Sequence, residues 1–305
     1  MRILILGNSD IFQRKIFPAL LKIRNLKIEL ASKSFKATNI KYEKVYKDYE
    51  NALNKTTANL VYISLVNSLH YKWALKSLAY NKNLIIDKPI ALNLNQTEKI
   101  IKLASKKKLL VTEAIVFDLH KQFKKMHSLL DFKKKTKIKT EFHIPKLNKN
   151  NFRNFNKFGG GCFQDMSPYA SSMIKTFFKN QKYLIKVKKK KNSNGIIEHF
   201  KVEVESKNIS LKSSFSFNSV YKNQMHIYNN HKHYFINRPF SPPIDKKLEL
   251  NIFNDTNKKN HKIRFSQQNV FLTYINFVIN ILRKKKYNFF YKEIIDIAKI
   301  KKKIS

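Results

Sequence analysis

Leu84-Ile85-Ile86-Asp87-Lys88-Pro89 is the stretch on which the fold turns. Three apolar residues of strand type run into a carboxylate, a lysine and a proline, and proline cannot continue a central strand because it has no N–H to give the ladder. The chain therefore turns there and leaves Lys88 at the carboxyl end of a buried parallel strand, the edge where open α/β sheets hold their ligands. Around it, Arg2–Leu6, Lys27–Ala31, Leu60–Leu65 and Leu109–Ile115 are further apolar strand candidates. Helical spacing fills the gaps over Ile11–Ile23, over Tyr71–Tyr80 and from Asn93 to Lys106, with Asn93 and Gln96 spaced as a capping box. Strands alternating with helices predict a parallel sheet with crossover helices.

Beyond about residue 118 the texture changes. After helices near His120–Leu130 and Gln164–Phe178, alternation marks strands at Thr136–Ile144, Lys182–Lys190, Ile196–Val204, Ile209–Phe217, His226–Tyr228, Tyr234–Ile236, Leu248–Phe253 and Lys262–Phe265. Helices Gln268–Leu282 and Tyr291–Lys301 close the chain. The expected fold is α/β, a doubly wound parallel sheet over residues 1–117, followed by an α+β domain over 118–305 built on a mostly antiparallel sheet.

The second informative stretch is Gly159-Gly160-Gly161-Cys162-Phe163-Gln164-Asp165-Met166-Ser167-Pro168-Tyr169. The chain has only 5 glycines, so three together are a local demand for unusual backbone. A helix opening near Gln164 would put Asp165 and Tyr169, four apart, on one face.

Composition bounds the function. No apolar run is long enough for a membrane helix. A single cysteine, Cys162, excludes an internal disulfide and a cysteine metal cluster, and the histidines lack metal-ligand spacing, so no metal is expected. The natural compartment is a reducing cytoplasm. The net charge of +42 invites nucleic acid, but Lys is spread along the whole chain with Asn and Ile, and no readout element accompanies it. The charge reads as a solvated surface with no specific nucleic-acid partner.

The first strand runs into Gly7-Asn8-Ser9-Asp10-Ile11-Phe12, where a dinucleotide fingerprint would carry three small residues and only the first glycine is present. Gly7 can still make the tight turn, and the helix start after Ser9, Asp10 and Ile11 can offer N–H groups to a pyrophosphate, with the Ser9 hydroxyl as a further donor. The second strand ends Leu30-Ala31-Ser32-Lys33 with no acid at its tip, and Ser32 and Lys33 suit a 2′-phosphate; NADP(H) is therefore favoured over NAD(H).

Together, Leu60-Val61-Tyr62-Ile63-Ser64-Leu65-Val66-Asn67-Ser68-Leu69-His70, Asp87-Lys88-Pro89, Leu110-Val111-Thr112-Glu113-Ala114 and the Gly159–Tyr169 block resemble the Gfo/Idh/MocA oxidoreductase family. Asn151-Phe152-Arg153, Asp165–Tyr169 and Arg238-Pro239-Phe240-Ser241-Pro242-Pro243 further resemble the branch that reduces keto-sugars in deoxysugar pathways. The resemblance implies a Rossmann domain, a C-terminal domain with a large open sheet that forms a homodimer, and NAD(P)-dependent redox of sugars or polyols. It implies that Lys88 contacts cofactor and substrate, that Asp165 binds substrate, and that Tyr169 stands where relatives place a catalytic His or Tyr. Leu65, Asn67, His70 and Asp87 fall in the cofactor loops. Asp87 for the family's Glu, Val66 for Pro, Ser167 for Gly and the degenerate glycine fingerprint are departures from the family's pattern, while Ser9 matches the Ser or Ala that the keto-sugar branch has at the second glycine.

Reducing a ketone needs a hydride at carbon and a proton at oxygen. Tyr169 is the expected proton donor, Lys88 the polarising cation and Asp165 the orienting group, with Lys88 as the alternative donor. Arg153 either clamps an anionic substrate group or pairs with a carboxylate of this chain. Three functions fit: an NADPH-dependent reductase of a sugar or sugar-nucleotide ketone, an NAD-dependent inositol or free-sugar dehydrogenase, and a catalytically silent dinucleotide- or sugar-binding regulator. Phe215, Phe217 and Tyr228 are the candidates to cover the dimer face.

Overall fold

Buried apolar runs one strand long build the first sheet. In the computed structural model, which describes residues 1–33 and 42–305, β1 (Arg2–Leu6), β2 (Lys27–Ala31), β3 (Lys44–Tyr46), β4 (Leu60–Ile63), β5 (Asn83–Ile86) and β6 (Val111–Glu113) pair in parallel in the order β3-β2-β1-β4-β5-β6. That is the dinucleotide-binding order, with the strand order reversing between β1 and β4. Strands β1 and β4 are buried on both faces because helices cover both, so they read as continuous apolar runs and not as alternation.

Residues 10–20 are helical, with a π-helical stretch over Phe12–Ile16 that runs into α1 (Phe17–Leu20). Pro18 explains the irregularity: it has no N–H for the i−4 carbonyl, and the wider register ahead of it absorbs the missing donor. α2 (Tyr49–Lys55), α3 (Asn67–Ala79) and α4 (Leu94–Lys107) complete the crossovers. The cap of α4 is close to the expected one, with Asn93 accepting from Gln96 N at 3.0 Å while Gln96 Oε1 accepts from Leu92 N at 3.1 Å.

The second unit contains α5 (Lys121–Ser128), β7 (Thr136–His143), α6 (Cys162–Phe177), β8 (Leu184–Lys191), β9 (Ile197–Glu205), β10 (Ile209–Ser216), β11 (Lys222–Asn229), β12 (Lys232–Asn237), β13 (Leu248–Asn254) and β14 (Lys259–Phe265). Its sheet runs β14-β13-β12-β11-β7-β10-β9-β8, antiparallel except where β7 meets β10. One face packs against α6 around Phe200, Phe215, Met225 and Ile227. Phe215 and Phe217 are 0% and 4% exposed in this core, so the expectation that they cover a dimer face is corrected. Tyr228, at 47%, is on the open face.

Two helices end the chain, α7 (Val270–Lys284) and α8 (Asn288–Ile304). The first unit comprises residues 1–114 and 271–298, the second 115–270 and 299–305. Residues 271–298 thus fall outside the single second domain expected over 118–305. Tyr274 and Tyr291 explain why they pack with the parallel sheet. The Tyr274 hydroxyl is 2.9 Å from Thr112 Oγ1 and donates to Glu113 O at 3.1 Å; Tyr291 donates to Leu109 O at 2.6 Å. No helix of the described residues is long and apolar enough to cross a membrane.

Candidate active site

Gly7 leaves β1 with φ +99°, and its N–H extends the ladder to Ala31 O at 2.9 Å. A Cβ at Gly7 would stand 2.2 Å from Ser64 O, so both conformation and space demand glycine at the β1/β4 switch point. Ser9 caps the helix behind it: Phe12 N donates to Ser9 Oγ at 3.1 Å, and Ser9 Oγ lies 2.6 Å from Ser64 Oγ. Ile11 is half-buried at the head of the helix. Asp10 is exposed and paired with Arg14, one turn on, at 2.9 Å.

The lysine loop is held at several points. Asp87 N donates to Ile63 O at 3.0 Å, Ile90 N to Glu113 Oε1 at 2.9 Å, and the Lys88–Pro89 peptide is cis. Asp87 receives Tyr62 Oη at 2.5 Å and Ser64 Oγ at 2.6 Å. Burial pushes the Asp87 carboxyl up, opposed by these two hydroxyls and by the charges of His70 and Lys88. The Tyr62 phenol is pushed well up by burial and by Asp87 beside it.

His70, fully buried, places Nδ1 2.7 Å from Pro89 O and Nε2 2.9 Å from Leu65 O, so one ring clips the loop after β4 to the loop after β5. Burial pushes its pKa down, opposed by the two carbonyls, each of which accepts from a ring N–H, and by Asp87. Asn67 opens α3 and is buried; Lys88 is half-buried. The sequence reading missed Tyr62 and Ser64, although both lie in the strand it quoted. What hid them is that their partner, Asp87, is on the neighbouring strand.

At the end of β2, Ser32 is buried and its N–H donates to Tyr46 O at 2.9 Å. Lys33 is exposed, its ammonium 5.8 Å from the centre of the Tyr49 ring. The one acid of β2, Glu29, lies two residues before the strand's end and accepts from Tyr46 Oη at 3.1 Å. Among the described residues no carboxylate of this segment therefore stands at the tip, and the local chemistry fits an added phosphate better than a bare ribose hydroxyl.

In the second unit the glycine triplet builds the head of α6. Gly159 (φ +71°) and Gly161 (φ +91°) take the left-handed region, while Gly160 is required by space. Gly161 N donates to Arg153 O at 2.8 Å and Gly160 N to Phe155 O at 3.1 Å, tying the 151–158 segment to the helix. Arg153 Nε thereby sits 3.0 Å from Asp165 Oδ1. Of the two roles open to Arg153, the structure contains the pairing with a carboxylate of this chain. Asp165 does not cap the helix; its N–H bonds to Gly161 O at 3.1 Å, inside the first turn.

Asp165 and Tyr169 both lie on α6, as the spacing predicts. Tyr169 is ringed by Phe240, Phe142 and Phe117, with centroids at 5.4, 5.6 and 6.1 Å. This aromatic setting limits the directions in which the phenol can point. Sequence reasoning missed it, although Phe240 lies inside the quoted Arg238–Pro243 segment.

Residues 2–115 match the Gfo/Idh/MocA family model, described as an oxidoreductase family with an NAD-binding Rossmann fold. The chain is 24% identical over 183 residues to an uncharacterized oxidoreductase of Rhizobium meliloti, covering 57% of this chain and 55% of that one. It is 23% identical over 185 residues to dTDP-3,4-didehydro-2,6-dideoxy-alpha-D-glucose 3-reductase of Saccharopolyspora spinosa, covering 58% and 56%. The chain thus aligns with a little over half the length of these two relatives. In fold it is similar to a 3-ketoreductase from Actinomadura kijaniata solved with NADP and TDP-benzene, with TM-score 0.92, 18% identity, and coverage of 100% of this chain and 96% of that one.

Proposed function

We propose that this chain, whose residues 2–115 match the Gfo/Idh/MocA oxidoreductase family model, reduces a nucleotide-linked keto-sugar with NADPH. The observation that carries the reading is the β1/β4 switch point, where a backbone that only glycine can adopt meets a β2 tip bearing Ser32 and Lys33 and no acid. The named reductase relative and the ketoreductase structure solved with NADP support the same choice. Gly7, Asp10, Ile11, Ser32, Lys33, Leu65, Asn67, His70, Asp87 and Lys88 are the residues proposed to hold the dinucleotide.

Bound NADPH would supply the hydride that turns the carbonyl carbon into a carbinol. The protein's part is the proton and the geometry. Tyr169 gives its phenolic proton to the oxygen on which charge develops, with its direction set by Phe117, Phe142 and Phe240. Lys88 polarises that oxygen. Asp165 accepts from a sugar hydroxyl, and Arg153, paired with it, fixes the carboxylate's orientation.

Thermal shift with NADPH, NADH and a panel of nucleotide sugars tests the reading, because a ligand of the native state alone raises stability. NADPH is expected to stabilise more than NADH, and a dTDP-keto-sugar to be turned over. Lys88→Ala and Tyr169→Phe are each expected to lower turnover by about 10²–10⁴-fold with the unfolding transition and NADPH affinity preserved. A preference for NADH, or near-normal turnover in either variant, defeats the assignment. NADPH binding without turnover of any sugar favours the regulatory reading.

The reading extends to a cytoplasmic homodimer formed through the open face of the second unit's sheet. A single cysteine leaves no disulfide that would require an oxidising compartment. Tyr228 on that face offers exposed apolar area for the partner to cover.

A further inference from the structure

Ser9, where the dinucleotide fingerprint has its second glycine, and Asp87, where the Gfo/Idh/MocA pattern has Glu, are joined through Ser64. Ser9 Oγ lies 2.6 Å from Ser64 Oγ, and Ser64 Oγ donates to Asp87 Oδ2 at 2.6 Å. The three residues follow β1, β4 and β5, which are neighbours in the sheet, so the bonds run along its carboxyl edge. With Asp87 ionised, the hydrogens follow from the carboxylate outward. Ser64's one hydroxyl hydrogen is on the carboxylate, so Ser9 supplies the hydrogen between the two serines. Ser9 in turn accepts from Phe12 N at 3.1 Å, and Tyr62 Oη serves the other oxygen of Asp87 at 2.5 Å.

We propose that Ser9, Ser64 and Asp87 act as one positioning relay that couples the dinucleotide turn to the Lys88 loop, and that Ser9 is a member of this relay and not a phosphate ligand. This rests on the proposed use of NADPH and of Lys88. A phosphate oxygen is an acceptor, and the one hydrogen Ser9 can give is committed to Ser64. Diverting it would leave Ser64, 1% exposed, with an acceptor site no longer met by Ser9. The two residues also suit one another. Glycine at 9 would remove the donor to Ser64, and a Glu at 87, one methylene longer, would carry its carboxylate past the two hydroxyls now at 2.5 and 2.6 Å. Restoring the family residue at either position alone should therefore harm the site. The first unit's sheet edge is tuned as a set.

The test is a set of double-mutant cycles. Ser9→Ala and Asp87→Asn remove groups that do not touch each other, yet through Ser64 they are expected to couple in unfolding free energy and in turnover. The expected coupling is at least about twofold, the low end for groups sharing a network. In a Ser64→Ala background that coupling should vanish. Ser9→Ala should lower kcat by about tenfold while changing the NADPH Kd less than about threefold, and Ser9→Thr, which keeps the hydroxyl, should recover most of the loss. Ser9→Gly should behave as Ser9→Ala. Additive cycles, or a Ser9→Ala loss confined to NADPH affinity, overturn the relay. The unfolding cycle needs no substrate, so it still decides the relay if no keto-sugar is turned over and the functional reading fails.

Discussion

At Gly160 the constraint is space. A Cβ there would stand 2.5 Å from Arg153 O and 2.7 Å from Phe155 O, both backbone atoms that no rotamer change can move aside. Gly160→Ala is therefore expected to push the 151–158 segment outward and draw Arg153 away from Asp165. Forced overpacking of this kind costs about 1–3 kcal/mol, to be read by urea denaturation, together with a raised sugar KM and an unchanged NADPH Kd. Gly159→Asn is the control, since Asn tolerates the left-handed region that Gly159 occupies. An Ala variant of wild-type stability and KM would show that the segment yields. The triplet was legible in the sequence because glycine is scarce, but the separate reasons were not. Gly159 and Gly161 answer to conformation and Gly160 to a neighbour seven residues back. Ser9 was legible as a departure from a fingerprint and read there as a phosphate donor; its partner Ser64 lies 55 positions away and Asp87, reached only through Ser64, 78, beyond what local spacing carries.

Among the elements, long periodic runs were readable and short ones were not. β3 and α2, three and seven residues long, have too few positions to show a period and went unread. The strand read at His226–Tyr228 extends over Lys222–Asn229, because ladder pairing with β7 and β12 continues beyond its apolar centre. α5 was found, but the means of its start was not. His120 is its N-cap: Nδ1 accepts from Gln122 N at 3.1 Å. That bond needs an unprotonated Nδ1, and burial, with Lys121 adding to it, pushes the His120 pKa down to about 4. An unfolded His titrates near 6.5, so as pH falls the unfolded state takes the proton first. The stability held by this cap is complete above about pH 6.5 and is lost as pH falls from there through about 4. His120→Asn keeps a capping acceptor without the titration. It is expected to lose less stability than wild type between pH 7 and pH 5 in urea melts. Parallel losses in the two proteins would mean that another histidine carries the acid sensitivity.

For the whole molecule the sequence gives a charge of +42 and no account of where it lies. The open face of the second sheet shows the arrangement. Register places Lys186 beside Glu203, Glu203 beside Lys212, and Lys212 beside Lys139, so β8, β9, β10 and β7 present alternating charge before two lysines meet. From β11 onward the face becomes aromatic. Tyr228 stacks on His233 at 4.4 Å, and His226 lies against Phe235 at 4.7 Å. This half of the face, where His226, His233, Phe235, Asn251 and Phe253 gather with Lys262 at their edge, is the proposed dimer seam.

A histidine pair on the proposed seam makes its stability sensitive to protons. His226 Nδ1 and His233 Nε2 are 3.0 Å apart, a contact that needs one ring nitrogen without a hydrogen. Burial pushes both pKa values down; His233 and Lys139 push His226 further down, Glu141 opposes this, and Asp255 opposes the shift at His233. Both rings are therefore neutral at physiological pH, and acidification brings two cations together beside Lys139. Because the shift is downward, the loss begins only below the ordinary histidine range. Sedimentation at micromolar protein and ionic strength 0.15 M, where exposed charges are screened beyond about 8 Å, should show a dimer at pH 7.5 and mostly monomer by pH 5. Tyr228→Glu should give a monomer at both values. His226→Gln should keep the dimer at pH 5, because it leaves His233 without a cation to oppose it across the strand pair. A monomer at pH 7.5 removes the dimer itself. A wild-type dimer indifferent to pH leaves the seam in place and removes the histidines from its control.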